Sequence, residues 1–278
     1  MRLLIILAAL LTAACASASP LPAVQIEPRI EHLQSEDGAT LEAHVFDLGP
    51  SPRRRAAIII FYGGGWAAGD PTWSYPRAHR YAERGMVAIA AQYRLSDQAA
   101  ISPIEAMADA RAQIRWARAN ARRLNIDPHR IAVFGWSAGG QLAAFAAESG
   151  DAENRPDALV LLSPAVALSD DSWFARLLGR RGRVADYSPV RHVRTGMPPT
   201  LILQGDVDTE TPLAGAQAFC AAMRGMRNVC ELEIYTGFGH LFTPAGQDDR
   251  GQPNPDPATS AAAAERADRF LREQGFLR

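Results

Sequence analysis

The apolar run Ile131-Ala132-Val133-Phe134 leads directly into Gly135-Trp136-Ser137-Ala138-Gly139-Gly140, and the good helix formers Gln141 to Ala147 follow. Strand, sharp turn and helix succeed one another without a spacer. The G-x-S-x-G spacing is that of a nucleophile elbow, a turn that lifts a serine hydroxyl to the top of a sheet. Gly135 and Gly139 remove side chains where strand and helix pass closely, while Ser137 takes up backbone that its surroundings must enforce. Whatever the rest of the chain does, it has to hold this strand in a sheet and cover it with helices.

The remaining elements fit that demand. Ala56 to Phe61, Met86 to Ala91, Ala158 to Leu162 and Thr200 to Leu203 are continuous apolar runs, as strands buried on both faces should be. Helical segments are predicted between them, over Pro76 to Arg84, Pro103 to Arg123 and Leu213 to Met223; Glu231 to Tyr235 is a further strand and Ala258 to Gln274 a last helix. Strands alternating with helices specify an α/β chain with a mostly parallel, twisted sheet of about eight strands and helices on both faces. Ile30 to Leu33 and Thr40 to Phe46 flank the turn Ser35-Glu36-Asp37-Gly38 and read as an antiparallel edge hairpin. Residues 165–193 read as an irregular, cap-like insertion, and residues 30–278 as a single domain.

The first residues read as a targeting segment. Arg2 precedes the apolar stretch Leu3 to Leu11, which is too short to span a bilayer, and small residues follow. Ala16-Ser17-Ala18 offers an ordinary cleavage site, giving a signal peptide over residues 1–18 and an extended lead-in over 19–29. Thr12-Ala13-Ala14-Cys15 offers instead a lipoprotein box that would place a lipid anchor at Cys15. Both routes lead out of the cytoplasm, to a periplasmic, secreted or lipid-anchored protein. In such an oxidising compartment Cys220 and Cys230 are expected to pair, the alternative being two buried thiols.

Composition narrows the chemistry. A formal net charge of -1 gives no reason to expect nucleic acid. All 29 basic residues are arginine, so a Ser–Lys dyad, a lysine Schiff base and a P-loop lysine are excluded. No cofactor or metal is called for.

A nucleophilic serine needs a base and a group to orient that base. Functional groups in a parallel sheet gather at the carboxyl ends of strands. Of six histidines, His240 alone follows a strand and precedes a helix. His32 and His44 lie in the early strands, His79 in a helix, His129 in a loop before the elbow strand, and His192 before another strand. The orienting carboxylate should follow a buried strand between Ser137 and His240. Gln204-Gly205-Asp206-Val207-Asp208-Thr209-Glu210 supplies Asp208, with Asp206 as the alternative. The order Ser, Asp, His is that of α/β-hydrolases.

Charge developing on a tetrahedral oxygen needs fixed donors, worth ~3 kcal/mol each. The Ala138 N–H is one. Others should come from Tyr62-Gly63-Gly64-Gly65-Trp66, where bare backbone can approach a substrate oxygen.

With these pieces goes a resemblance. Tyr62 to Trp66, Gln92-Tyr93-Arg94-Leu95, Asp109-Ala110-Arg111, Gly135 to Gly140, Ser188-Pro189, the Gly205–Asp208 spacing and Gly239-His240 follow in order along most of the chain. Together they resemble the bacterial α/β-hydrolase esterases of the hormone-sensitive-lipase-like and feruloyl/acetylxylan-esterase-like (BD-FAE-type) groups. The resemblance implies the α/β-hydrolase fold, an ester-hydrolysing activity, oxyanion donors at Gly64, Gly65 and Ala138, and Asp208 rather than Asp206 as the orienting acid. Many such enzymes begin the glycine loop with histidine, whereas here Tyr62 stands first.

The expectation is a serine carboxylic-ester hydrolase for short acyl groups on small molecules or carbohydrates, including acetyl and feruloyl esters. Trp66, Trp136, Trp173 and Phe174 are the candidate pocket walls. A peptidase on the same fold, or a catalytically silent binding protein, are the alternatives.

Overall fold

A computed structural model describes residues 26–97, 100–169 and 171–278. The expected signal segment and Cys15 lie outside the described residues. Among the described residues, no helix is long and apolar enough to cross a membrane.

Eight strands form one sheet: β1 (Arg29–Gln34), β2 (Thr40–Phe46), β3 (Arg55–Phe61), β4 (Val87–Ala91), β5 (Ile126–Trp136), β6 (Ala158–Leu162), β7 (Thr200–Gly205) and β8 (Cys230–Tyr235). Their spatial order is β1-β2-β4-β3-β5-β6-β7-β8. β1 pairs antiparallel with β2, and β2 antiparallel with β4; every later pairing is parallel. This is the expected fold, an edge hairpin on a parallel sheet. β3 sits near the middle, with Ile59 opposite Ile89 on one side and Val133 on the other.

Six helices cover the sheet: α1 (Tyr75–Glu83), α2 (Pro103–Ala119), α3 (Ala138–Ala147), α4 (Ser172–Leu178), α5 (Leu213–Gly225) and α6 (Pro257–Glu273). Arg80 of α1 and Arg84 just after it both reach Asp268 of α6, at 2.6 and 2.9 Å, which joins these two helices over one face of the sheet. α2 packs against α3. Because both faces are covered, β4, β6 and β7 bury every residue, and this accounts for their uninterrupted apolar sequences.

A buried ion pair ties the hairpin to this frame. Asp109 of α2 receives hydrogen bonds from Arg94 Nη2 at 2.8 Å, from Arg94 Nε and N at 2.9 Å, and from the Ser35 hydroxyl at 2.5 Å. Hydrogen bonds to Asp109 and then Asp37 push the Arg94 guanidinium above its ordinary range against the pull of burial. The segments Gln92–Leu95 and Asp109–Arg111, which carry part of the resemblance, are thus two halves of one structural clamp.

Three details depart from the sequence reading. α2 stops at Ala119 instead of continuing to Arg123, because residues 120–124 leave the helix in turns. β5 begins at Ile126, so His129 lies inside the entering half of the strand and not in a loop before it. The insertion is not wholly irregular: Asp171 caps α4 by accepting the Phe174 N–H at 2.8 Å, and Phe174, Leu177 and Leu178 are buried at helical spacing. Seven residues ending at Gly179 give too short a pattern to show in the sequence.

Cys220 of α5 and Cys230 at the start of β8 are joined as a disulfide, with their Cα atoms 5.3 Å apart.

Candidate active site

The elbow is held in strain. Ser137 has φ 55° and ψ -122°, in the left-handed half of the map where a non-glycine residue must be forced. What forces it is the frame around it. Its N–H donates to Leu162 O at 3.1 Å, and its carbonyl accepts from Gly140 N at 3.0 Å and Ala165 N at 3.2 Å. A Cβ on Gly139 would collide with the backbone of Phe61 and Tyr62, so α3 can start beside β3 only with glycine there. Ser163, Leu241 and Phe242 also take positive φ, which concentrates backbone strain around the same spot.

His240 follows β8, and its imidazole lies between two partners. Nε2 is 3.0 Å from Ser137 Oγ, while Nδ1 is 3.0 Å from Asp208 Oδ2 and 3.2 Å from Oδ1. With Nδ1–H donating to the carboxylate, Nε2 is left to accept the serine proton. Asp208 is itself fixed: its carboxylate accepts from Glu210 N at 3.0 Å, Thr211 N at 2.7 Å, Thr211 Oγ1 at 2.9 Å and Gln204 Nε2 at 3.0 Å. Asp206 is elsewhere, accepting the Gly237 N–H at 2.7 Å, and so pins the start of the histidine loop.

Asp249 was not a candidate from the sequence. Its Oδ2 accepts the N–H of His240 at 2.9 Å and of Thr209 at 3.0 Å, and its Oδ1 the Thr209 hydroxyl at 2.6 Å. Burial pushes the Asp249 carboxyl up, but the hydrogen bonds from Thr209 and His240 outweigh it, leaving the group below the usual carboxylate range. Gln204 and Thr211 were likewise missed. All three act through partners distant in the chain or through a turn, and no spacing rule points to them.

The glycine loop after β3 passes directly over the nucleophile. A Cβ on Gly63 would lie 3.1 Å from Ser137 Cβ and 2.8 Å from the Trp136 ring. Gly64 and Gly65 have φ of 119° and 57°. Among the described residues, no acceptor takes the amide hydrogens of Gly64, Gly65 or Ala138. The loop's shape is fixed from below by two tyrosines: Tyr62 stacks on Tyr93 at 4.4 Å, and Tyr93 Oη donates to Tyr62 O at 3.0 Å. Tyr62 therefore props the loop from its first position. Trp173 holds it from the insertion side, its Nε1 donating to Gly65 O at 2.8 Å.

The four expected wall residues separate. Trp173 stays partly exposed beside the glycine loop. Trp66 and Phe174 instead pack edge to face at 4.9 Å, only 2% and 0% exposed, with Trp66 Nε1 donating to Gln141 Oε1 at 3.1 Å. They are core under the loop, and Trp66 takes a φ of 60°. Trp136 is clasped between Gly63 and the Arg77 guanidinium, whose Cζ lies 4.7 Å from its ring.

Residues 50–167, from the loop before β3 to just past β6, match the BD-FAE family. An acetylxylan esterase from Xylanibacter ruminicola is 28% identical over 221 residues, covering 75% of this chain and 45% of the relative. Esterase LipC from Mycobacterium tuberculosis is 29% identical over 224 residues, covering 69% of this chain and 54% of the relative. The chain thus spans about half the length of the curated relatives it matches. Among solved structures, Thermogutta terrifontis esterase 2 phosphoramylated by tabun superposes with a TM-score of 0.78 at 31% identity, over 93% of this chain and 99% of that one. The same esterase with propionate bound gives 0.76 at 33%, over 90% and 96%. Sequence, fold and elbow agree, and the chain belongs to the α/β-hydrolase esterase family, its residues 50–167 being similar to BD-FAE.

Proposed function

We propose that this protein is an exported serine carboxylic-ester hydrolase acting on short acyl esters, among them acetyl or feruloyl groups on carbohydrates. The observation that carries the reading is the continuous line Ser137 Oγ–His240 Nε2, His240 Nδ1–Asp208 Oδ2, each step at 3.0 Å, beside three amide hydrogens with no acceptor.

The chemistry follows from that line. Ser137 Oγ attacks the acyl carbon as its proton passes to His240 Nε2, and Asp208 stabilises the imidazolium through Nδ1–H. The carbonyl oxygen, now negative, takes hydrogen bonds from the amides of Ala138, Gly64 and Gly65, donors that need no reorganisation when the charge appears. The C–O bond to the alcohol breaks, and the leaving alkoxide takes the proton from Nε2. Water then adds to the acyl-enzyme with its proton going to Nε2. Collapse of this second intermediate returns that proton to Ser137 and releases the acid. No part of the cycle calls for a group that the chain does not supply.

The substrate class draws on the relatives, which include an acetylxylan esterase and an esterase with propionate bound. Export draws on the apolar leader and on the disulfide, a bond that persists in oxidising compartments. Cys15 would carry the lipid if processing follows the lipoprotein route. Labelling with a fluorophosphonate probe tests the reading directly. The intact protein should take up one equivalent at Ser137, and Ser137→Ala none. An unlabelled but folded wild type would remove the esterase reading and favour a silent binding protein.

A further inference from the structure

Behind the elbow, on the face covered by α1 and α6, lies a cavity of about 150 Å³. Most of its walls are apolar, among them Phe134, Trp136, Leu162, Leu203, Leu241 and Phe242. Four of its lining residues are polar, Arg77, Arg80 and Tyr81 from α1 and Ser260 from α6. The Arg77 guanidinium lies flat against two of the walls, its Cζ 5.0 Å from the Phe134 ring and 4.7 Å from the Trp136 ring. Tyr81 is 98% buried, being only 2% exposed.

What sets the pair apart is the lack of acceptors. Among the described residues, Arg77 has no ion pair and no hydrogen bond, and the Tyr81 hydroxyl has no hydrogen-bond partner. Asp268 takes both Arg80 and Arg84 on its Oδ2, its Oδ1 staying without a partner among the described residues. Stacking on two rings satisfies the π face of a guanidinium and leaves its in-plane N–H groups unused. Partial burial pulls Arg77 below arginine's ordinary range, against the opposing effect of Tyr81. The guanidinium is half-buried, so its edge stays open to an anion that enters the cavity.

We propose that this cavity is a binding site for a monocarboxylate with a compact apolar body, its carboxylate on Arg77 and Tyr81 and its body against Phe134, Trp136 and Leu203. A carboxylate matches the planar N–H fork of arginine and also accepts from a phenol. The mostly apolar walls favour an organic acid over an inorganic anion, and a volume of about 150 Å³ suits a compact one. The site is distinct from the oxyanion loop, since neither Ser137 nor His240 lines it, yet Trp136 and Leu241 are their chain neighbours. An occupant would therefore bear on the backbone that positions both. The inference stands on the cavity alone; if the hydrolase reading also holds, the acids this protein releases belong to the class the cavity takes.

The test is calorimetric or NMR titration of the full-length protein with sodium benzoate, with benzyl alcohol as the uncharged counterpart. Saturable one-to-one binding of benzoate is expected, with benzyl alcohol at least roughly tenfold weaker. Arg77→Gln should weaken benzoate by roughly tenfold or more, and Tyr81→Phe by a smaller factor. Ala264→Leu, which fills the cavity without touching the cation, should abolish binding and decides the matter if Arg77→Gln does not fold. Unchanged benzoate affinity in folded Arg77→Gln or Ala264→Leu would overturn the proposal. So would equal affinities for benzoate and benzyl alcohol, or no saturable binding of benzoate. A wild type that fails fluorophosphonate labelling yet binds benzoate in this pattern would sink the hydrolase reading and leave the cavity assignment standing.

Discussion

Asp249 Oδ2 accepts the backbone N–H of His240 at 2.9 Å and that of Thr209 at 3.0 Å, so one carboxylate oxygen links the loop of the base to the turn of its orienting acid. The approach is close enough that Gly239 must lack a side chain, since a Cβ there would meet the same carboxylate at 2.5 Å. Asp249 bonds the backbone N–H groups and the Thr209 hydroxyl rather than the imidazole ring, so it positions rather than reacts. Asp249→Ala should lower kcat on p-nitrophenyl acetate by about 10–100-fold, with KM changed by less than about threefold, because small misplacements of a catalytic group are costly. Steady-state kinetics on protein of normal melting behaviour would check this. A loss confined to KM would show that the link serves the pocket instead.

The two acids of the β7 turn should behave very differently. Asp208→Asn removes the acceptor that fixes the histidine tautomer and should cost on the order of 10³–10⁴ in kcat. Asp206 receives one backbone hydrogen bond from Gly237, and Asp206→Asn should keep activity within about tenfold. Parallel kinetics on the two variants would reveal a reversed order, and that outcome would remove the present assignment.

Much of this was legible in the sequence, for identifiable reasons. β3, β4, β6 and β7 are buried on both faces, and an unbroken apolar run has few other readings. Ser137 was legible because its turn needs glycines at fixed spacing, and His240 because it follows a strand at the correct edge. Trp66 and Phe174 are buried, which the sequence could not tell, because proximity to a loop does not say which way a ring points. Asp249 was invisible for another reason. Its segment, Gly246-Gln247-Asp248-Asp249-Arg250-Gly251, has the composition of any surface turn, and only the return of the chain past Gly239 gives one of its two aspartates a buried role.

Acyl-chain length offers a test of pocket size. With Trp173 fixed over Gly65 and the insertion folded down by the buried face of α4, the space above Ser137 is bounded on that side. Each methylene that fits should gain up to ~0.8 kcal/mol, and the gain reverses when the space is full. On a series of p-nitrophenyl esters, kcat/KM is expected to peak between acetyl and butyryl and to fall steeply by octanoyl. A steady rise toward palmitoyl would contradict a small acyl site.

Glu148, at the end of α3, carries a pH dependence that has nothing to do with catalysis. Its Oε1 is buried without a partner, and burial pushes the carboxyl up to about 9 against the opposing pull of Arg194 and then Arg111. A folded-state value above the unfolded one means that the native protein holds a proton the unfolded chain releases. The group is neutral to stability below about pH 4.5, lowers it progressively as pH rises, and reaches its full effect near pH 9. Glu148→Gln keeps the shape and removes the titration. It should add on the order of 1–3 kcal/mol at pH 8.5 and nothing at pH 4, by urea unfolding. A gain of equal size at both values would trace the effect to packing instead of ionisation.

The disulfide has a consequence for the geometry of the reacting groups. Asp208 lies just before α5 and His240 just after β8, and Cys220 and Cys230 bridge helix to strand between them. The covalent route from acid to base therefore takes a shortcut through sulfur, bypassing the end of α5 and the turn beyond it. Fraying of that turn, the exposed corner around Met226 and Val229, is insulated from the spacing of the two groups. In a reducing compartment the same fraying would reach them. Reduction of the bond would remove that shortcut and leave the two groups joined only through the turn.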